Sequence, residues 1–236
     1  MTSGTIHLWT IDLDADPVSL GSFLNLLSGD ERVRAARLRT TELRLRFVIA
    51  HGALRAILAR YVGIAAAAIR LDVTASGKPF VPGAPVTFNL SHSEGLAVCA
   101  VAPGRHIGVD VERLRPVPDA DSIVQRYFAP GEARGYAALP AMERVAAFFS
   151  TWTRKEAFVK AIGDGLQVPL DSFEVDIAPS EVEPRIAMDA SRGAWHLRSF
   201  EPAPGYAGAV ACDGPIGSIR RFAFDEQSLD MPFEPV

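Results

Sequence analysis

Two carboxylates stand at alternate positions in Gly108-Val109-Asp110-Val111-Glu112, a β-branched stretch that favours extended backbone. Side chains two apart on a strand share a face at roughly 6–7 Å, so Asp110 and Glu112 could share a hard cation. The plainer alternative is a pair of solvated strand carboxylates. A second cluster adds to the first. In Trp152-Thr153-Arg154-Lys155-Glu156-Ala157-Phe158-Val159-Lys160 the pattern is helical, and Trp152, Glu156 and Lys160 follow at steps of four on one face. Glu156 and Lys160 could form no more than a surface ion pair. Yet Phe148, Phe149, Trp152 and Phe158 mark the helix as substantially buried, where ions need partners beyond each other. Glu156 facing Asp110 and Glu112 would complete the oxygen cage that Mg2+ favours when it also holds phosphate oxygens.

Phe88-Asn89-Leu90-Ser91-His92-Ser93 closes an expected strand with several hydrogen-bonding side chains, and Gly77-Lys78-Pro79 is a short basic turn. A lone histidine in such a place is more often structural than functional. A phosphate-rich ligand could gather Arg46, Lys78, His92, Lys155 and Lys160, but only if they met across a seam between distant parts of the chain. Neither a Gly-x-Ser-x-Gly elbow nor a Ser/His/Asp ordering supports acyl-enzyme chemistry.

These residues need a core to position them. Of 236 residues, 48% are apolar and 22% charged, which suits a globular protein and excludes generic disorder. With 24 Lys+Arg against 28 Asp+Glu the net charge is −4, which argues against a dedicated nucleic-acid binder. Cys99 and Cys212 lie in apolar runs and read as buried free thiols. No apolar stretch is long enough to span a bilayer and no secretory leader is apparent, so a cytoplasmic monomer without membrane attachment is expected.

The order of elements suggests a repeat. A helical pattern runs from Asp30 to about Tyr61, with seven arginines from Arg32 to Arg55 that form either a solvated face or an anion-binding stripe. Strands are expected at Ile69–Val73, Val86–Ser91 and Leu96–Val101. Helical segments at Asp121–Leu139 and Met142–Ile162 then precede strands near Phe173–Ile177, Trp195–Phe200 and Tyr206–Cys212. Gly163 should cap the last helix. The runs ending in Cys99 and Cys212 resemble each other at a spacing of 113 residues, about half the chain. The expected fold is therefore α+β, with two similar subdomains at 1–105 and 106–224, each an antiparallel sheet packed with helices, and a loose tail at 225–236.

Gly77-Lys78-Pro79, the Phe88–Ser93 run, Gly108–Glu112, and Phe149–Lys160 with Gly163-Asp164-Gly165-Leu166 occur in fixed order. As a set they resemble the surfactin-type 4′-phosphopantetheinyl transferases, over roughly residues 5–215. The resemblance implies a pseudo-two-fold pair of α+β halves. It also implies transfer of the phosphopantetheine arm of coenzyme A to a serine of an apo acyl, polyketide or peptidyl carrier protein, leaving adenosine 3′,5′-bisphosphate. Asp110, Glu112 and Glu156 would hold Mg2+ or Mn2+, and Glu156 would take the serine proton, directly or through water. Lys155 and Lys160 would neutralise charge on the breaking phosphoanhydride. Ser91, His92, Arg46 and Lys78 would hold the phosphates and adenosine, with Lys78 and His92 at the 3′-phosphate. Glu31, Arg32 and Arg34 stand where some relatives carry lysines. Arg113-Leu114-Arg115-Pro116-Val117-Pro118 reads either as a carrier-docking lip or as a plain connection. Two other readings stay open: a non-catalytic carrier-binding module, and a Mg2+-dependent phosphodiester hydrolase acting on coenzyme A.

Overall fold

The computed structural model describes residues 4–14, 20–163, 168–178, 186–187 and 194–225. The chain opens on strand β1 (Thr5–Asp12) and helices α1 (Leu20–Leu26), α2 (Gly29–Ala36) and α3 (Thr41–Val62). A small hairpin, β2 (Asp72–Val73) and β3 (Pro79–Phe80), leads to the strands β4 (Val86–Ser93), β5 (Leu96–Pro103) and β6 (Ile107–Arg113). Helices α4 (Ala120–Tyr127), α5 (Pro130–Ala138) and α6 (Ala141–Ile162) follow. The chain continues through β7 (Glu174–Val175), β8 (Ile186–Ala187), β9 (Trp195–Phe200), β10 (Tyr206–Asp213) and β11 (Ser218–Ala223).

The helical pattern from Asp30 to Tyr61 is divided in two by local capping. Ser28 and Glu31 form a reciprocal capping box that starts α2. Thr40 then accepts the Leu43 N–H at 3.1 Å and starts α3 afresh. The segment expected at 121–139 likewise divides, because Pro130 has no N–H to donate and opens α5. The extended run expected from Ile69 narrows to the two residues of β2.

The repeat is present in the topology. β1, α3, β4 and β5 give the sheet order β1-β5-β4, and β6, α6, β9 and β10 give the matching order β6-β10-β9, both with antiparallel pairing. Both long helices have 22 residues and end at a left-handed glycine, Gly63 (φ 67°) and Gly163 (φ 78°). Two features depart from the expected halves. Strand β11, counted with the second half, pairs in parallel with β1 from Thr5↔Ser218 to Thr10↔Ala223. It covers what would otherwise be an open edge of the first sheet, so that sheet is not wholly antiparallel and no single cut at residue 105 separates the two sheets. Cys99 and Cys212 are both buried and free, but they are not equivalents. Cys99 faces the helix side of its sheet, and Cys212 faces the space between the sheets. The equivalent strands β5 and β10 align end to end at Leu96 with Tyr206, so Cys99 corresponds to Ala209 on the helix side and Cys212 to Ala102 between the sheets.

One apolar layer, including Trp9, Ile11, Leu54, Ile57 and Val101, lies between the first sheet and α3. A second, including Ile6, Leu8, Val98, Ile107, Val109 and Val210, joins the two sheets. A third, with Ala157, Phe158, Leu197 and Ala211, lies between the second sheet and α6. The helices thus stand outside two facing sheets. Alternation on β6 sends Val109 and Val111 into the seam and Gly108 and Asp110 toward α6. At Gly108 the helix backbone comes so close that an added Cβ would collide with the Ala157 carbonyl oxygen and the Ala161 nitrogen. Only glycine fits, and this contact sets the height of α6 above the acidic strand. Gly108→Ala should therefore lower Tm by about 4 °C or more, since overpacking against a helix backbone costs about 1–3 kcal/mol in a chain of this size. An unchanged melting curve would contradict the close approach. Residues 164–167 of the expected turn and 226–236 of the expected tail lie outside the described residues.

Candidate active site

Asp110 on β6 is 4% exposed, and its Oδ1 accepts from Lys160 Nζ at 2.6 Å and from Ser91 Oγ at 2.8 Å. Its Oδ2 is buried without a hydrogen-bond partner. Glu112, two residues on, accepts from Ser93 Oγ at 2.7 Å. Glu156 comes from α6, on the face it shares with Trp152 and Lys160, all three half-buried. Burial raises the Glu156 carboxyl above its ordinary range; Lys160 opposes that shift, and the charges of Asp110 and Glu112 add to it. Burial also raises Glu112, with Asp110 adding to the effect against the Ser93 hydrogen bond. Three carboxylates repelling one another, with one ammonium among them, form a site short of positive charge.

Asp110, Glu112 and Glu156 could hold a hard divalent cation. The donors are all carboxylate oxygens, and the orphaned Asp110 Oδ2 lacks the partner that a buried anion requires. Among the described residues no group of three or more His, Cys, Asp or Glu side chains is already arranged to hold a metal. The Lys160 ammonium instead supplies the positive charge at Asp110.

Two clefts border this cluster. One, of about 240 Å³, is lined by Gly77, Lys78, Asn89, Glu156, Lys160 and neighbours. The other, of about 280 Å³, is lined by Arg46, Phe47, His51, His92, Ser93 and apolar side chains from Leu13, Leu38 and Leu43. Arg46 is held there by Asp14 at 2.8 Å and Glu42 at 2.7 Å. Desolvation, with His51, Lys160 and Arg46 nearby, lowers the His92 pKa, so its ring is neutral at pH 7 and offers a hydrogen bond rather than a charge. Of the seven arginines read as either a solvated face or an anion-binding stripe, Arg46 reaches this cleft. Arg55 is instead buried against Glu31 at 2.7 Å.

Several expected placements differ. Lys155 does not reach the acidic cluster: it is fully buried, paired with Glu132 at 2.8 Å, and donates to the carbonyls of Leu170 and Phe173. A neighbour of Glu156 along a helix is turned about 100° away from it, which is the physical reason. Lys78 and His92 line different clefts and do not converge on one phosphate. Lys78 Nζ binds the carbonyls of Ile107, Lys160 and Ala161, and burial lowers its pKa to about 8. It ties the turn after β2 to the end of α6. The Ser91 hydroxyl is engaged by Asp110, Lys160 and the Val111 N–H. In the segment after β6, Leu114 and Val117 pack against the aromatic cluster of α4–α6, while Arg113 and Arg115 lie over the rings of Tyr206 and Phe149. Both apolar side chains are partly buried in that packing, as the plain-connection reading has it. Ser93, Asn89 and Gly108 were not singled out from the sequence as site residues. The alternation of Asn89, Ser91 and Ser93 along one strand was the available signal.

Comparison with known proteins bears on this arrangement. The family model described as the 4′-phosphopantetheinyl transferase superfamily matches residues 106–211, which include all three carboxylates. The chain is 38% identical over 218 residues to the 4′-phosphopantetheinyl transferase HetI of Nostoc sp., covering 91% of this chain and 90% of that protein. It is 29% identical over 194 residues to the 4′-phosphopantetheinyl transferase Sfp of Bacillus subtilis, covering 82% and 85%. A further 4′-phosphopantetheinyl transferase of Bacillus subtilis is 34% identical over 163 residues, covering 67% and 71%. The chain belongs to the 4′-phosphopantetheinyl transferase superfamily and is a transferase.

Proposed function

We propose that this transferase moves the 4′-phosphopantetheine arm of coenzyme A onto a serine hydroxyl of an apo carrier protein with the help of Mg2+, or Mn2+ in its place. The observation that carries the reading is the acidic cluster between β6 and α6, where a buried carboxylate oxygen of Asp110 lacks a partner beside Glu112, Glu156 and Lys160. Asp110, Glu112 and Glu156 would hold the cation, which when bound neutralises charge on the pyrophosphate.

The attacking serine belongs to the partner. Its oxygen bonds to the phosphorus that carries pantetheine, and the bond from that phosphorus to the bridging oxygen breaks. The bridging oxygen leaves on adenosine 3′,5′-bisphosphate, and the serine proton goes to Glu156. Glu156 is the half-buried carboxylate that α6 brings to this cluster, which suits it to accept that proton. Lys160 supplies positive charge to the leaving pyrophosphate oxygens, so most of the catalysis is positioning and electrostatics. Arg46 and His92 in the neighbouring cleft are suited to the 3′-phosphate and adenosine end. Two buried free thiols suit a reducing compartment, and we place the enzyme in the cytoplasm as a monomer. Among the described residues no helix is long and apolar enough to cross a membrane.

Purified protein incubated with coenzyme A and Mg2+, with and without an apo carrier domain, tests the reading. Release of adenosine 3′,5′-bisphosphate should require the carrier, and the carrier should gain the arm. Release without a carrier would indicate a hydrolase. Carrier binding with no release would indicate a non-catalytic module.

A further inference from the structure

β6 pairs with β10 on one side only, and it is an edge strand of its sheet among the described residues. Along the other edge its N–H groups are taken by side chains of β4. Val109 N donates to Asn89 Oδ1 at 2.8 Å, Val111 N to Ser91 Oγ at 3.4 Å and Arg113 N to Ser93 Oγ at 3.1 Å. Residues 89, 91 and 93 point to one face of β4, so three side chains stand in for a missing strand.

The two serines do more than close that edge. Each donates its hydroxyl proton to the carboxylate one residue before the N–H it accepts: Ser91 to Asp110 Oδ1 at 2.8 Å, and Ser93 to Glu112 Oε2 at 2.7 Å. A hydroxyl has one proton and two lone pairs, so donating to the carboxylate while accepting from the backbone fixes both its place and its direction. Glu112 is a flexible side chain whose other charged contact is Arg115, 3.8 Å away and half-exposed. Ser93 is therefore what holds its rotamer. The serine sits on the first repeat and the carboxylate on the second, so the bond also transmits the seam's geometry to the acidic cluster.

We propose that Ser93 is a positioning residue that holds Glu112 in the conformation required to bind the divalent cation, as Ser91 holds Asp110. The proposal rests on the cation-binding reading of the acidic cluster given above. Hydrogen-bond partners behind a metal ligand typically change metal affinity about 10–100-fold.

The test is Mn2+ binding to the intact protein without coenzyme A, followed by the loss of the free-ion EPR signal, alongside a melting curve. Ser93→Ala should weaken Mn2+ binding about 10-fold or more. Its Tm should change little, because Arg113 is only half-buried and water can take its N–H in place of Ser93. Ser93→Thr keeps the hydroxyl and should restore the affinity. Mn2+ affinity unchanged in Ser93→Ala, or lost equally in the Ala and Thr variants in step with Tm, would overturn the role. If the unsubstituted protein bound no Mn2+, the cation-binding reading itself would fail and the proposal with it.

Discussion

Glu156→Gln is expected to lower the rate of phosphopantetheine transfer by about 10³-fold or more while making the protein without its substrates more stable. The first effect follows from losing a proton acceptor together with a charged oxygen donor, each worth about 10²–10⁴-fold in related chemistry. The second follows from the pKa. Burial and the charges of Asp110 and Glu112 raise the folded-state pKa of Glu156 above its unfolded value of 4.5. Between those two values the folded state binds more protons than the unfolded one, so stability falls as pH rises through that window. At neutral pH the charged form is a burden, and an amide removes it. That stabilisation should read out as a rise in Tm. The gain should vanish below the unfolded pKa, where the carboxyl is protonated in both states. Parallel melting curves and rates from pH 4 to pH 8 check both parts. A destabilised, fully active Glu156→Gln protein would make Glu156 a surface ion-pair residue.

Lys155→Ala is expected to damage the fold, not substrate binding. The ammonium is sealed from water with Glu132, whose other bonds cap the Ala129 N–H and hold the Val175 N–H. Burial pushes Glu132 upward and Lys155 downward, and the charge of each opposes the other's shift. Removing one partner strands the other, at a cost of about 3–5 kcal/mol, which corresponds to a Tm fall of about 10 °C. The double variant Lys155→Met with Glu132→Gln should lose less than the sum of its parts, because no unpaired charge remains. A Lys155→Ala protein with normal Tm and a raised KM for coenzyme A would return Lys155 to the phosphate site.

How far the sequence carries this picture depends on which signal each residue left. The acidic pair was legible because strand alternation has a fixed period, and Glu156 with Lys160 because helix periodicity does as well. Helix periodicity also separates Lys155 from Glu156, and the resemblance to a family overrode that signal. The repeat was legible in its element order, while the match of Cys99 to Cys212 misled because it fixed on residue type and ignored strand face. Lys78 could not have been placed: its three carbonyl partners come from β6 and α6, and nothing local in Gly77-Lys78-Pro79 encodes them. The parallel pairing of β11 with β1 joins residues more than 200 apart, beyond the reach of local pattern. Leu114 and Val117 show the converse limit, since an apolar residue in a loop reads alike whether it meets a partner or its own core.

In the proposed reaction, carboxylates from both β6 and α6 form one cation site. A crystal structure of the protein with coenzyme A and Mn2+, phased to show the metal's anomalous signal, tests it most directly. A single strong peak is expected within bonding distance of oxygens of Asp110, Glu112 and Glu156 and of the pyrophosphate, with Lys160 turned from Asp110 toward the phosphates. A peak held by the pyrophosphate alone, with Lys160 still paired to Asp110, would contradict it.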